Sequence, residues 1–313
     1  MTLQEEVGKL FNNIIEIQEV MPRDGLQIEK NIVPTEKKID LINKLSHTGV
    51  SKIEVTSFVS PKAVPQLSDA EIVVNSIDRN QNITYVALVA NLRGVERAVK
   101  TNIDEINLVM SASATHNKKN VNRTNEESLS EFKQIKEYLR GTKIKLNGTV
   151  ATSFGCPFEG NISEDKVLRY IDEYLSLGMD SITLADTTGM GNPVQVKNLV
   201  TKVKQHIGNI PLTLHFHNTR GMGLANVVAA ISAGATQFDS SLGGIGGCPF
   251  APGATGNICT EDLVHMLDQM GIKQATDLDS LIDISKELPG IIGRDDLPGQ
   301  VVIAGKVSDL HLV

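Results

Sequence analysis

His215 and His217 are the residue pair whose type and spacing point most directly to chemistry. Side chains two positions apart in a strand lie on the same face. Two imidazoles on one face, with the carboxylate of Asp24 across from them, suit Mg²⁺, Mn²⁺, Fe²⁺ or Co²⁺ better than a closed structural zinc site. Asn257 could add an amide oxygen to such a site. The alternative is a pair of hydrogen-bonded histidines inside a folded core.

Arg23 and Glu54 are a second pair of candidate functional residues. Glu54 stands between Ile53 and Val55, and a carboxylate buried among apolar residues is costly unless it is paired. We expect Arg23 to be its partner and to bind an anionic ligand beside the metal. The alternative is a surface ion pair between Arg23 and Asp24, which would contribute only ~0–1 kcal/mol.

The segment from Gly243 to Gly256 is rich in glycine and contains Cys248. Glycines let the backbone approach a ligand or let a loop close over it, and a thiol on such a loop can act in acid–base or nucleophilic chemistry. The alternative is a flexible loop without a role. We expect Cys156 and Cys259 to be buried, and Thr260 to cap a helix.

Elements that could position these residues alternate along the whole chain. Glycines 49, 178 and 234 stand between a helical pattern and the next strand, where a left-handed C-cap is expected. The predicted helices cover Thr35–Thr48, Ser163–Leu177 and Gly221–Ser232, with another that begins at Asn192-Pro193. The predicted strands are Ile14–Val20, Lys52–Thr56, Thr84–Ala90, Glu105–Met110, Lys145–Ala151, Ser181–Ala185, Leu212–His217 and Gln237–Leu242.

Eight strands that alternate with helices predict an α/β fold, a (β/α)8 TIM barrel. We expect a single catalytic domain, with the barrel at about residues 12–275 and a short C-terminal helical extension at about 276–313. An open doubly wound sheet is the alternative, but the first strand lacks the glycine-rich phosphate turn that such folds carry. The C-terminal strand ends of a barrel would also bring Ser57, Asp186 and Thr187 to the site. Asp186 could instead cap a helix.

Composition limits the classes of function. The 313 residues carry a net charge of −7, with no tryptophan and 4% aromatic residues, which argues against binding of nucleic acid. Three cysteines argue against a disulfide scaffold and favour a cytoplasmic location. We expect neither a signal peptide nor a membrane-spanning segment.

Five motifs together resemble the 3-hydroxy-3-methylglutaryl-CoA lyase family along nearly the whole chain. The most specific of them is the cysteine loop, because the wider barrel superfamily, including isopropylmalate and homocitrate synthases, shares the R-D-G and H-x-H elements but lacks this loop. The motifs are P-R-D-G-L-Q at 22–27, I-E-V-T-S-F-V-S-P-K at 53–62, G-C-P-F-E-G at 155–160, H-F-H at 215–217, and G-G-C-P-F-A-P-G-A-T-G-N at 246–257.

The resemblance implies a metal-dependent retro-Claisen cleavage of 3-hydroxy-3-methylglutaryl-CoA to acetyl-CoA and acetoacetate, as in leucine degradation and ketone-body formation. It implies a divalent cation, Mg²⁺ or Mn²⁺, at Asp24, His215, His217 and Asn257. It further implies that Cys248 protonates the enolate and that Arg23 stabilises it, with Glu54 and Glu261 in support. The base could be Asp24, Asp186 or His215. Substrate-binding roles are expected for Arg23, Gln27, Ser57, Thr149, Thr187 and Arg220.

The sequence departs from the family pattern in three places, of which the first two concern the acyl group. Asn218 and Arg220 stand where the lyases usually have other residues, Thr149 replaces a frequent aromatic, and Met21 and Ile28 flank the first motif. A related 3-hydroxy-3-alkyl or carboxylated acyl-CoA is therefore an alternative substrate. A 2-oxo-acid condensing synthase, and a barrel that binds metal without turnover, are further alternatives. A homodimer is expected from base rates.

Overall fold

Eight parallel strands pair in sequence order and close into a ring, β1 against β8. The computed structural model describes residues 13–247, 256–294 and 296–311. The strands are β1 (Glu16–Glu19), β2 (Lys52–Ser57), β3 (Thr84–Val89), β4 (Glu105–Ser111), β5 (Lys145–Ala151), β6 (Ser181–Asp186), β7 (Leu212–Phe216) and β8 (Gln237–Ser240). Most of their outward side chains are apolar and buried, such as Ile106, Leu108 and Met110 of β4, as expected for a parallel sheet covered by helices.

Helices follow the strands and begin where the sequence supplies a cap. Asn192 accepts hydrogen bonds from two backbone N–H groups of the helix that it precedes, and Pro193 occupies the first helical position. The helices are α1 (Thr35–Leu45), α2 (Ala70–Ser76), α3 (Leu92–Ala98), α4 (Ala114–Val121), α5 (Asn125–Tyr138), α6 (Glu164–Ser176), α7 (Pro193–Ile207), α8 (Gly223–Ser232), α9 (Thr260–Gln269), α10 (Leu278–Ile292) and α11 (Gln300–Ala304).

The barrel interior contains a layer of polar side chains beneath its C-terminal mouth. Asn147 donates to Asn107 at 3.0 Å and to Thr183 at 2.9 Å, and Thr149 donates to Asn107 at 2.7 Å. The pairing of β2 with β3 shifts register between Glu54 and Thr56. Such irregularities re-aim side chains near functional sites.

The predicted fold is confirmed, and all eight predicted strands overlap observed ones. Gly49, Gly178 and Gly234 have φ values of 86°, 71° and 90°, as their C-cap positions require. The prediction that Thr260 caps a helix was wrong. Thr260 is the first residue of α9, and its hydroxyl donates to the Glu19 carboxyl instead.

The predicted limits of the barrel and of the C-terminal extension stay predictions. Beyond residue 276 the described chain forms α10, α11 and a short 3-10 helix, Val307–His311. Within the described ranges, the structure has no helix whose length and apolar character would allow it to cross a membrane.

Candidate active site

Asp24, His215 and His217 converge at the mouth of the barrel. Asp24 lies in the tight turn Met21–Gly25 after β1, where its N–H donates to the carbonyl of Val20 at 2.7 Å. His215 belongs to β7, and His217 follows that strand. One ligand atom from each of the three side chains lies within 4.8 Å of the others, and all three residues are buried. The arrangement can hold a metal ion.

Asn257 completes this group from another segment. It pairs with His217 in an isolated antiparallel bridge, and its Nδ2 donates to Asp24 Oδ2 at 2.7 Å. Its buried Oδ1 has no hydrogen-bond partner among the described residues. A buried amide oxygen without a partner, beside a carboxylate and two imidazoles, is a donor set that fits a divalent cation.

Burial and neighbouring charges keep two of the predicted ligands in the deprotonated state that cation binding requires. Burial alone would raise the pKa of Asp24, but Arg23, His215 and His217 lower this pKa to about 2. Burial and the neighbouring His215 lower the pKa of His217 to about 3. Burial lowers the pKa of His215, but Asp239 and Asp24 together raise it above its usual value. Metal ligands must be deprotonated, and at neutral pH Asp24 and His217 meet this condition without an ion.

Arg23 is held between two carboxylates. Its Nε and Nη2 both lie 2.5 Å from Glu54 Oε2, and its Nη1 contacts Asp24. Burial raises the pKa of Glu54, although Arg23 and Asn107 oppose this shift. The predicted pairing of Arg23 with Glu54 is therefore present, and the guanidinium is fixed beside the metal-binding group.

A cavity of 440 Å³ opens from this group toward the loops after β2, β3 and β4. Seven of the residues predicted from the sequence line it: Arg23, Asp24, Gln27, Thr149, Thr187, His215 and His217. Gln27 donates to Asp24 Oδ1 at 2.7 Å. The structure thus gathers most of the predicted polar residues in one place.

Six predicted residues of the described part of the chain do not line the cavity. Two of them, Glu54 and Asn257, contact Arg23 and Asp24, and the other four lie elsewhere. Asp186 accepts from the N–H groups of Met190 and Gly191, and burial raises its pKa to about 6. Arg220 is exposed and donates to the carbonyls of Thr188 and Gly189 at 2.9 and 3.0 Å. These two side chains hold loops at the barrel mouth.

Glu261 and Ser57 are the other two. Glu261 accepts from the N–H of Gly243 at 2.9 Å and from the thiol of Cys259 at the same distance, so it supports the segment after β8. Ser57 is buried at the end of β2. Cys248, the predicted proton donor, lies outside the described residues. Cys156 and Cys259 are buried, as expected.

The sequence reasoning missed several cavity residues. Asp239 contacts His215, Asn107 contacts Glu54, and His116 lines the cavity wall away from the metal-binding group. Asp239 and Asn107 are polar residues inside predicted strands, so the search for polar strand ends would have found both if it had included inward positions. No comparable signal marked His116, which lies on α4.

Fold and site together define a class: parallel (β/α)8 barrels with a group of two histidines and one aspartate at the C-terminal mouth that can hold a metal ion. A family model described as HMGL-like matches residues 14–288. The chain is 44% identical to a hydroxymethylglutaryl-CoA lyase of Bacillus subtilis, over 90% of this chain and 94% of that one. It is also 44% identical to the human mitochondrial hydroxymethylglutaryl-CoA lyase, over 86% and 83%.

One solved structure extends the comparison over the full chain. It is an HMG-CoA lyase from Acinetobacter baumannii in complex with coenzyme A and 3-methylmalate, with 54% identity and a TM-score of 0.93. The similarity covers 100% of this chain and 99% of that one. The chain belongs to the hydroxymethylglutaryl-CoA lyase family.

Proposed function

We propose that this protein is a carbon–carbon lyase that cleaves 3-hydroxy-3-methylglutaryl-CoA to acetyl-CoA and acetoacetate. The observation that carries the proposal is the buried group of Asp24, His215 and His217, with Arg23 beside it, at one end of the cavity. Family membership supports the same reaction. The substrate loses its hydroxyl proton, the C2–C3 bond breaks, and C2 then takes up a proton to give acetyl-CoA.

Asp24, His215, His217 and Asn257 would hold the divalent cation, for which Mg²⁺ or Mn²⁺ suits the mixed donor set. When bound, the ion supplies positive charge that polarises the substrate oxygens. The particular ion and the role of each ligand are part of the proposal.

Arg23 would stabilise the negative charge that develops on the thioester oxygen when the C2–C3 bond breaks. A preorganised donor of this kind is typically worth ~3–4 kcal/mol in the transition state. Its contacts to Glu54 and Asp24 use three of the five guanidinium N–H groups and leave two for the substrate. Cys248 would then donate the proton to C2.

The contacts of the three candidate bases support one proposed choice of the group that takes the hydroxyl proton. Asp186 binds its own loop through both carboxyl oxygens. A group that lines the cavity is therefore better placed than Asp186 to act as the base. His215 and Asp24 both line the cavity. His215 would have no lone pair free for this proton, because its Nε2 would hold the cation and its Nδ1 is paired with Asp239. We therefore propose Asp24 as the base.

A related acyl group is a second candidate substrate. Thr149, Asn107 and Thr183 give the cavity a polar wall, and Ala151 and Ala185 line it with small side chains. The Acinetobacter relative was solved with 3-methylmalate, a hydroxydicarboxylate. We therefore propose that 3-hydroxy-3-alkyl and carboxylated acyl-CoA thioesters are cleaved as well. A homodimer and a cytoplasmic location stay predictions.

The test is release of acetyl-CoA from 3-hydroxy-3-methylglutaryl-CoA, measured with Mg²⁺, with Mn²⁺ and with EDTA. We expect metal-dependent turnover of ~1–10³ s⁻¹, lost in Asp24→Asn. Parallel assays with longer 3-hydroxy-3-alkylglutaryl thioesters would separate the two candidate substrates. Absence of cleavage of every thioester, by metal-loaded protein, would overturn the proposed reaction.

A further inference from the structure

Asp239 contacts His215 on the side opposite the candidate metal ligands. The two residues are direct register partners between β7 and β8. Asp239 Oδ2 lies 3.1 Å from His215 Nδ1, and both side chains are nearly buried, at 14% and 11% exposed. The other ring nitrogen, His215 Nε2, lies 3.1 Å from His217 Nε2, inside the metal-binding group.

This geometry determines which nitrogen of His215 carries the proton. A neutral imidazole has one N–H and one lone pair, and the group that accepts the N–H decides the tautomer. A carboxylate at Nδ1 accepts from that nitrogen, which leaves the Nε2 lone pair directed into the site. Carboxylates in this position orient metal-binding histidines in many proteins.

Two further observations separate Asp239 from a direct metal ligand and from a general structural role. Its carboxylate is not a member of the group whose ligand atoms lie within 4.8 Å of one another. The matching nitrogen of the second histidine, His217 Nδ1, is buried and has no hydrogen-bond partner among the described residues. Among the described residues, a partner therefore fixes the tautomer of His215 but not that of His217.

We infer that Asp239 is a positioning residue that holds His215 in the tautomer whose Nε2 lone pair faces the cation. The inference rests on the metal site of the proposed function. It adds a residue from β8 to a site that otherwise draws on β1, β7 and the segment around Asn257.

The first test is Mn²⁺ affinity, measured by titration calorimetry or by the electron paramagnetic resonance signal of free Mn²⁺. Asp239→Ala removes the acceptor, and we expect its Mn²⁺ affinity to fall by ~10–100-fold. Asp239→Asn keeps the shape of the side chain without its charge. Its Mn²⁺ affinity should lie between those of the wild type and Asp239→Ala. Asp172→Asn is the matched control, because Asp172 also contacts a histidine, His206 Nε2 at 2.6 Å, on the surface. This control should bind Mn²⁺ as the wild type does.

The second test needs no variant for its main result. In metal-free protein with ¹⁵N-labelled histidine, at alkaline pH, the imidazole ¹⁵N shifts of His215 should report the Nδ1–H tautomer. His215→Gln assigns the signal. Unchanged Mn²⁺ affinity in both folded Asp239 variants, or an Nε2–H tautomer in the wild type, would overturn the inference. Wild-type protein that binds no Mn²⁺ would overturn the metal site itself, and the inference with it.

Discussion

At the scale of single residues, the site depends on side chains that are held by more than one partner. Arg23 contacts Glu54 through two nitrogens and Asp24 through a third. A guanidinium has the planar fork that such contacts require, whereas the ammonium of lysine is a point charge on a flexible stem. The direction of Arg23, and not only its charge, is therefore built into the site.

We predict that Arg23→Lys lowers kcat by ~10²–10³-fold with little change in KM, since the contact is made in the transition state. The measurement is steady-state acetyl-CoA release with saturating metal. Arg79→Lys is the control. Arg79 makes a comparable two-point contact with Asp104, at 2.7 Å to each carboxyl oxygen, and neither residue lines the cavity, so its kcat should not change. A rise in KM alone would show that Arg23 binds the substrate equally in the ground state and the transition state, which would contradict the proposed role.

The pairing of Arg23 with Glu54 could be predicted from the sequence because a carboxylate between Ile53 and Val55 must find a cation. The contact of Asp239 with His215 could not, because it depends on the register between β7 and β8. The charge of Arg220 near the H-x-H motif suggests a substrate contact, which stays a prediction. Its guanidinium donates to the carbonyls of Thr188 and Gly189, and the sequence did not indicate these loop contacts.

At the scale of elements, a close backbone contact joins the residues after β8 to Gly256. The residues between them, 248–255, lie outside the described chain. Gly256 passes so close to the segment after β8 that a Cβ atom there would lie 2.2 Å from the carbonyl oxygen of Gly244. Asn257 follows immediately and reaches Asp24. The backbone contact thus decides where the amide side chain of the site is placed.

Gly256→Ala should therefore displace Asn257 and lower kcat/KM by ~10²-fold, as small misplacements of catalytic groups do. Activity and Mn²⁺ affinity are measured together, with circular dichroism to confirm folding. Gly290→Ala, inside α10 where a Cβ would meet nothing within 4 Å, should leave both unchanged. Wild-type Mn²⁺ affinity in Gly256→Ala would show that the close approach does not position the site.

Glu19 connects β1 by hydrogen bonds to the segment after β8 and to α9. Its Oε1 accepts from the N–H groups of Met21 and Leu242, and Thr260 contacts its Oε2. Burial raises the pKa of Glu19 from 4.5 to about 8, against the effect of these donors. Between these values the folded protein keeps a proton that the unfolded chain has lost, so stability falls as pH rises.

We predict that Glu19→Gln removes this loss. An amide oxygen can accept from the same two N–H groups, and an amide nitrogen can donate to Thr260. The stability of the variant relative to the wild type should increase by a few kcal/mol between pH 5 and pH 8. Urea unfolding across this range measures the difference, and a constant difference would mean that Glu19 is ionised throughout.

At the scale of the whole molecule, the order of elements was predictable because apolar strands and capped helices recur in regular alternation. Eight β-rich runs can close into a barrel, and the strand ends then gather the polar residues. Details of the mouth loops were not predictable. Asp186 follows β6 as expected, yet the N–H groups of Met190 and Gly191 turn its carboxylate toward its own loop, an outcome set by loop conformation rather than by residue type.

The metal-binding group joins parts of the chain that are remote in sequence: the turn after β1, the end of β7 and the segment around Asn257. An unfolded chain cannot hold these ligands together, so a cation that binds them stabilises the folded state by mass action. With Mn²⁺ at 100 times its dissociation constant, the added stability is ~2.7 kcal/mol. We therefore predict that Mn²⁺ raises Tm by several degrees and that EDTA reverses the increase. Asp24→Asn should lose the increase, whereas Asp172→Asn should retain it. A wild-type Tm that Mn²⁺ leaves unchanged, at concentrations that saturate activity, would contradict a site that spans β1 and β7.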